Sequence, residues 1–187
     1  MKLWSINNSW TLFLDRDGVI NRRIPGEYIK NVGEFEFLPG SLEVMPLLRE
    51  KFGRLFIVTN QKGVGKGLMT AQDLEEVHAY MLAAFAEKGV VPDGVYAATA
   101  AKLTDTSNHK PNPGMALQAQ TAFPKVDFSK SVMVGDSLTD MEFGLRLDMR
   151  TVLVAGKFED EAGLRDLEVD LRVGNLAEFG RIVFDYA

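Results

Sequence analysis

The sequence predicts a Rossmann-like three-layer α/β/α fold with a mostly parallel sheet, and three observations carry that prediction. Short apolar runs rich in β-branched residues alternate with stretches of helical periodicity, as in a parallel sheet covered by helices. No internal repeat or low-complexity tract breaks the alternation. Polar residues close several of the runs, which is where an open α/β sheet offers its strand ends to a ligand. A chain of 187 residues, 46% hydrophobic and 25% charged, fits one domain (1–187) able to bury a sizeable core.

The first strand is Trp10-Thr11-Leu12-Phe13-Leu14, followed by a polar, Pro/Gly-containing stretch from about 19 to 37. A helix is predicted from Ser41 to about Lys51, with Leu42, Met45 and Leu48 on one face. Pro46 falls about five residues into it, where a missing N–H and a ring clash cost ~3 kcal/mol, so a late start or a kink is expected. A second strand spans 54–59. Thr70 then reads as an N-cap with Asp73 in the first turn, and Leu74, Val77, Met81, Leu82 and Phe85 recur at helical spacing until Gly89. His78 lies beside that stripe and reads as a partly buried structural histidine rather than a catalytic base. Strands near 94–98, 131–134 and 151–154 alternate with helices near 113–122 and 138–147. A last strand near 169–173 and a helix from Asn175 to about Asp185 complete the pattern. The intervals 17–59 and 60–110 leave no room for a cap domain. The crevice is therefore expected to be open, screened only by loops such as 21–37 and 99–109.

The chemistry concentrates at Asp15-Arg16-Asp17-Gly18, where two carboxylates at i and i+2 leave a buried strand and project the same way. Crowded anions need a cation or a proton. A divalent metal, general acid–base work, or an aspartyl nucleophile with a second Asp as proton shuttle would each supply a reason. A lone Asp-x-Asp is more often an exposed acidic turn, but three further segments end apolar runs in phosphate- or metal-compatible residues. These are Leu55-Phe56-Ile57-Val58-Thr59-Asn60, His109-Lys110-Pro111-Asn112-Pro113-Gly114, and Val132-Met133-Val134-Gly135-Asp136 with Asp140 beyond it. One crevice can collect Asp15, Asp17, Thr59, Asn60, Lys110, Asp136 and Asp140.

Composition excludes other classes. A net charge of −5 with no Lys/Arg-rich run argues against bulk nucleic-acid binding. Zero cysteines exclude disulfides and thiolate metal sites. Neither a signal-peptide core nor an apolar run of spanning length occurs, so a soluble cytoplasmic protein without a membrane partner is expected. Gly63-Val64-Gly65-Lys66-Gly67 is not a P-loop, because Gly67 and Leu68 follow the Lys. It reads as a mobile loop lining the site, with Lys66 a candidate substrate contact. Asp15-x-Asp17 is not an EF-hand, since Ile20 stands where Gly is required. A receiver-like phospho-acceptor module also uses an Asp at a strand end; Asp17 argues against it, because a shuttle acid speeds hydrolysis of the phosphoaspartate that signalling must preserve.

The ordered set Asp-x-Asp, Thr, Lys and Gly-Asp with a later Asp resembles the haloacid dehalogenase-like hydrolases. Phe13-Leu14-Asp15-Arg16-Asp17-Gly18-Val19-Ile20-Asn21, Val58-Thr59-Asn60-Gln61 and Lys110-Pro111-Asn112-Pro113-Gly114-Met115 look like the branch of D-glycero-D-manno-heptose-1,7-bisphosphate phosphatases and histidinol-phosphatases. Tyr28, Glu34-Phe35-Glu36-Phe37 and Gly63-Val64-Gly65-Lys66-Gly67 look more like the heptose enzymes. The resemblance covers about residues 11–155. It implies a Mg²⁺-dependent phosphomonoesterase in which Asp15 attacks phosphorus and Asp17 protonates the leaving oxygen and later deprotonates water. It further implies that Asp15, the Asp17 backbone carbonyl and Asp136 hold the metal, that Thr59 and the Asn60 backbone bind phosphate oxygens, and that Lys110 adds a charge. Asp140, one turn after Asp136, is expected to orient Lys110 or metal-bound water. The implied substrate is a small-molecule phosphate ester, foremost a heptose bisphosphate. Histidinol phosphate and a nucleic-acid terminal phosphate are the alternatives, the latter disfavoured by the acidic balance.

The sequence departs from the branch in one respect. Many of its members carry a Cys/His zinc loop before the Lys motif and an Arg beside that Lys. Here Ala98, Thr106 and Asn108 align with Cys positions and His109 replaces the Arg. With no Cys, and His78 and His109 the only histidines, a tetrahedral thiolate–histidine zinc site cannot be assembled. The loop 99–109 is then expected to be held by packing and hydrogen bonds, and His109 to grip an anionic group of the substrate less firmly than a forked Arg.

Overall fold

The computed structural model describes residues 4–104, 108–155, 163–164 and 166–186. Thr106 and the centre of the expected 99–109 loop lie outside them. Six strands form one sheet: β1 (Thr11–Leu14), β2 (Arg54–Asn60), β3 (Gly94–Ala98), β4 (Ser131–Gly135), β5 (Arg150–Val154) and β6 (Leu171–Val173). Every neighbouring pair is parallel, in the order β3-β2-β1-β4-β5-β6. Six helices accompany them: α1 (Ser41–Lys51), α2 (Lys62–Gly65), α3 (Ala71–Glu87), α4 (Gly114–Ala122), α5 (Leu138–Arg146) and α6 (Leu176–Tyr186). This is the expected three-layer Rossmann-like fold.

Burial on both faces explains why the central strands read as unbroken apolar runs rather than alternating ones. Leu12, Leu14, Ile57, Val132, Val134 and Val152 turn to one face, with Val77, Met81 and Phe85 of α3 and Phe179 and Val183 of α6. Phe13, Phe56, Val58 and Met133 turn to the other, with Met115, Ala116 and Ala119 of α4 and Phe143 of α5. The capping box predicted for α3 is present: Thr70 Oγ1 accepts from the Asp73 N–H at 3.0 Å, and Asp73 accepts from the Thr70 N–H at 2.7 Å.

Two local readings need correction. Of the late start or kink expected at Pro46, the late start does not occur: the helix runs from Ser41 to Lys51, and burial of Val44, Met45 and Leu48 keeps it on the core. The glycine segment 63–67 is not a loose loop either. Its first residues form the helical turn α2, and the Gly65 N–H donates to Thr99 O at 2.9 Å. A Cβ on Gly65 would lie 2.4 Å from that same oxygen, so the segment packs where only glycine fits. Lys66, expected as a substrate contact, instead donates to the Tyr28 hydroxyl at 3.0 Å, and Lys62 faces the crevice.

After β1 the chain builds outward through β2 and β3, then crosses back to β4 on the other side of β1. The carboxyl ends of β1 and β4 therefore flank the topological switch point, where the crevice of an open α/β sheet forms.

Candidate active site

Asp15 is the first residue beyond β1, pinned by its N–H to Val134 O at 2.9 Å. Its Oδ1 accepts from Lys110 Nζ at 2.6 Å. Lys110 is 2% exposed, and its ammonium also donates to Val58 O at 2.7 Å and pairs with Asp140 Oδ1 at 2.6 Å. Asn60 fixes the Lys110 backbone from both sides, its Oδ1 accepting from Lys110 N–H at 2.9 Å and its Nδ2 donating to Lys110 O at 3.1 Å. The other Asp140 oxygen accepts from Ser137 Oγ at 2.6 Å and from the N–H groups of Ser137 and Asp136 at 3.0 and 3.2 Å. Asp140 thus closes the first turn of α5 and holds Lys110 with no oxygen left unpaired.

Asp17 sits in a separate polar cage. Arg16 Nη2 donates to both its oxygens at 3.0 Å, Asn21 Nδ2 to Oδ1 at 2.9 Å and Gln61 Nε2 to Oδ2 at 2.6 Å. Gln61 also donates to Thr59 Oγ1 at 2.8 Å, tying the threonine to the same network. Asp15, Asp17, Thr59, Asn60, Lys110 and Asp140 line one cavity of about 340 Å³, bounded above by Ile24, Gly26, Glu27 and Tyr28 of the loop after β1. Asp136 reaches the same centre from the end of β4. Gly18, at φ +94°, admits it, since a Cβ there would stand 2.0 Å from Asp136 Oδ2.

His109 departs from expectation. Its side chain is fully buried with neither ring nitrogen hydrogen-bonded, and it is not among the residues lining the cavity. Sequence reasoning also passed over Arg16, Arg23 and Gln61. Arg16 and Gln61 stood inside quoted motifs without a role; no motif signalled Arg23.

Burial dominates the electrostatics. It pushes the Asp15 carboxyl up to about 6, although Lys110 pulls it down, with Asp140 and Asp17 adding repulsion. It pushes Asp136 up to about 8, against the pull of Arg23 and with further repulsion from Asp15 and Asp140. Asp17 is less enclosed, its side chain 20% exposed against 6% for Asp15, and Arg16 with the donors Asn21 and Gln61 outweighs its burial and holds it below the ordinary carboxylate value of 3.8.

Oxygens of Asp15, Asp136 and Asp140 lie within 4.8 Å of one another, a donor set of the kind a hard divalent cation takes. With Asp140 fully engaged, Asp15, Asp136 and the Asp17 carbonyl remain. A positive group already stands among them: Arg23 Nη2 is 2.5 Å from Asp136 Oδ1, 3.0 Å from Asp17 O and 4.0 Å from Asp15 Oδ2. The residues present fit a magnesium ion.

A parallel sheet with an acidic, cation-seeking site at its switch point belongs to the Rossmann-like α/β proteins, and comparison with known proteins narrows the class. The HAD-hydrolase-like family model matches residues 108–179. The D-glycero-alpha-D-manno-heptose-1,7-bisphosphate 7-phosphatase of Mycobacterium bovis is 40% identical over 135 residues, 72% of this chain and 71% of that protein. The D-glycero-beta-D-manno-heptose-1,7-bisphosphate 7-phosphatase of Yersinia pestis is 29% identical over 179 residues, 92% of this chain and 94% of its own. The D,D-heptose 1,7-bisphosphate phosphatase of B. bronchiseptica, whose crystal structure holds magnesium and phosphate, superposes with a TM-score of 0.86 at 28% identity, covering 95% of this chain and 99% of that one. The chain belongs to the haloacid dehalogenase-like phosphatases, in the heptose-1,7-bisphosphate 7-phosphatase family.

The elevated Asp136 carboxyl gives a pH signature. A folded protein that binds a proton near pH 8, where the unfolded chain loses it near 3.8, becomes less stable as pH rises through that window. His78, pushed down to about 4 by burial with some repulsion from Arg16, acts in the opposite sense but only below its ordinary 6.5. Without divalent metal, Tm should therefore fall between pH 6.5 and 8, and Asp136→Asn should flatten the fall. Calorimetry in chelator-treated buffer checks this; a flat wild-type curve would contradict the charge balance described.

Proposed function

We propose that the protein is a magnesium-dependent phosphatase of a heptose bisphosphate, a soluble cytoplasmic single-domain enzyme working through a phosphoaspartate on Asp15. The observation carrying the reading is the asymmetry of the Asp15 carboxylate: Oδ1 is held by the buried Lys110 while Oδ2 accepts no hydrogen bond from the described residues, Arg23 Nη2 standing 4.0 Å away, and the residue lines the cavity. The substrate rests on the relatives named above, whose alpha and beta anomers differ, so no anomer is assigned.

In this reading Asp15 Oδ2 attacks phosphorus, forming an O–P bond as the bond to the sugar oxygen breaks, and Asp17 gives its proton to that leaving oxygen. Water then attacks phosphorus, Asp17 takes its proton, and the Asp15–phosphorus bond breaks. Arg16, Asn21 and Gln61 favour the anionic Asp17 needed for the second step. The negative charge of an arriving phosphate raises its proton affinity for the first. Thr59 and the Asn60 backbone are placed to meet phosphate oxygens, and Lys110 keeps a fixed positive charge beside the attacking carboxylate. Lys62, at the cavity wall, offers a charge for the second phosphate. Asp15, Asp136 and the Asp17 carbonyl would hold magnesium, which when bound neutralises charge between nucleophile and phosphate.

Four results are expected. Asp15→Asn should abolish release of phosphate from a panel of phosphate esters and any trapped phosphoenzyme; a tenth of wild-type turnover, after excluding deamidation, contradicts the nucleophile. The same panel, on the wild type, should show a heptose bisphosphate favoured over histidinol phosphate and nucleotide-end phosphates. Asp17→Asn should lower kcat by ~10²–10⁴-fold, the worth of a positioned proton shuttle, with little change in metal affinity. Loss of magnesium binding, restored with full rate at saturating metal, would instead mark Asp17 as a side-chain ligand. Elemental analysis of the purified protein should find no stoichiometric zinc, since the chain has no Cys and only two His; zinc that survives dialysis would overturn this.

A further inference from the structure

We propose that Arg23 is a built-in counter-cation for the acidic centre, occupying the divalent metal's position in the metal-free protein and withdrawing into the cavity when metal binds. The inference rests on the metal ligands proposed above. Its geometric basis is that one nitrogen, Arg23 Nη2, approaches the same three groups: Asp136 Oδ1, Asp17 O and Asp15 Oδ2, at 2.5, 3.0 and 4.0 Å. A guanidinium nitrogen and a dication cannot share that point, so the two must exclude each other.

Charge gives the exchange a direction. With all four carboxylates ionised, as metal ligation requires, Asp15, Asp17, Asp136 and Asp140 face only Arg16, Arg23 and Lys110, one positive charge short. Replacing the singly charged arginine by a dication completes the balance, and the freed guanidinium remains beside the cavity as an added positive charge facing an incoming phosphate.

Of the three cations only Arg23 can leave. The Arg16 and Lys110 side chains are 0% and 1% exposed, whereas that of Arg23 is 29% exposed. Arg16 grips Asp17 with paired donors, and Lys110 has three acceptors. Arg23 holds through Nη2, and its buried Nε has no partner among the described residues. Its backbone lies outside helix and strand, in the loop that also brings Ile24, Glu27 and Tyr28 to the cavity.

The test is Mn²⁺ binding, followed by electron paramagnetic resonance without substrate, in wild type, Arg23→Gln and Asp136→Asn. An arginine in place ~90% of the time raises the apparent dissociation constant about tenfold, so Arg23→Gln should bind Mn²⁺ about tenfold more tightly. Equal or weaker binding overturns the proposal. Loss of Mn²⁺ binding in Asp136→Asn supports the site itself; unchanged binding there means the metal sits elsewhere, and both the site and this inference fall. Should Arg23→Gln not fold, the wild type answers alone through phenylglyoxal labelling mapped by mass spectrometry. Adding Mg²⁺ alone should speed modification of Arg23 several-fold while Arg16 stays protected. An unchanged or slowed rate at Arg23 overturns the proposal.

Discussion

The site depends on one ammonium group. Lys110 Nζ, shut off from water, is bonded to the carboxylate after β1, the carbonyl of Val58 in β2 and the carboxylate that closes the first turn of α5. A charge of this kind is tolerated in a low-dielectric interior only when every donor is satisfied. Removing one partner of a buried pair costs about 3–5 kcal/mol. The three acceptors come from three elements far apart in sequence, so their positions fix one another. Asn60 adds a second constraint by clamping the lysine's own backbone. The position of Asp15 is therefore set by the fold and not by its own rotamer freedom.

Topology makes that convergence inexpensive in backbone terms. Because β1 lies at the centre of the sheet with β2 on one side and β4 on the other, residues just past each strand end arrive within side-chain reach of Asp15 without an added domain. Gly18 contributes at the level of a single atom, because its missing Cβ leaves the space that Asp136 fills. The loop that follows, from Arg22 to Ile29, roofs the cavity and is tied down by the Arg22 N–H donating to Glu36 O at 2.8 Å.

What the sequence made legible follows from periodicity and type. Runs such as Leu55-Phe56-Ile57-Val58 can only be strands buried on both faces. The carboxylates of Asp15, Asp17 and Asp136 stand just beyond such runs, and the structure brings them to one centre with Asp140 of α5 and with Lys110, which lies twelve residues after β3. The remainder turns on contacts with no local signature. Arg23 meets Asp136 across 113 positions of sequence, from a loop with no period to read. His109 adjoins Lys110 in sequence, yet its ring is buried and does not line the cavity. Pro46 was weighed by helix propensity alone, which tertiary burial of Val44, Met45 and Leu48 overrides. The glycines of 63–67 suggested looseness, whereas the close approach of Thr99 to Gly65 shows that glycine there permits contact.

Asp15 and Asp17 show how one environment produces two kinds of carboxylate. They stand two residues apart, and burial, fuller at Asp15 than at Asp17, raises the proton affinity of both. They diverge because of what each can share. Lys110 divides its charge between Asp15 and Asp140, and the neighbouring Asp140 and Asp17 repel the Asp15 anion, so its affinity for a proton or a metal stays high. Arg16 serves Asp17 alone, in a fork that reaches both oxygens, with Asn21 and Gln61 completing the shell. A carboxylate short of positive charge is the one that gains most from an arriving cation, and one already saturated with donors gains little. The difference between them is thus written in the number of donors each receives: Asp15 keeps its affinity for a proton or a cation, and Asp17 is held as the anion.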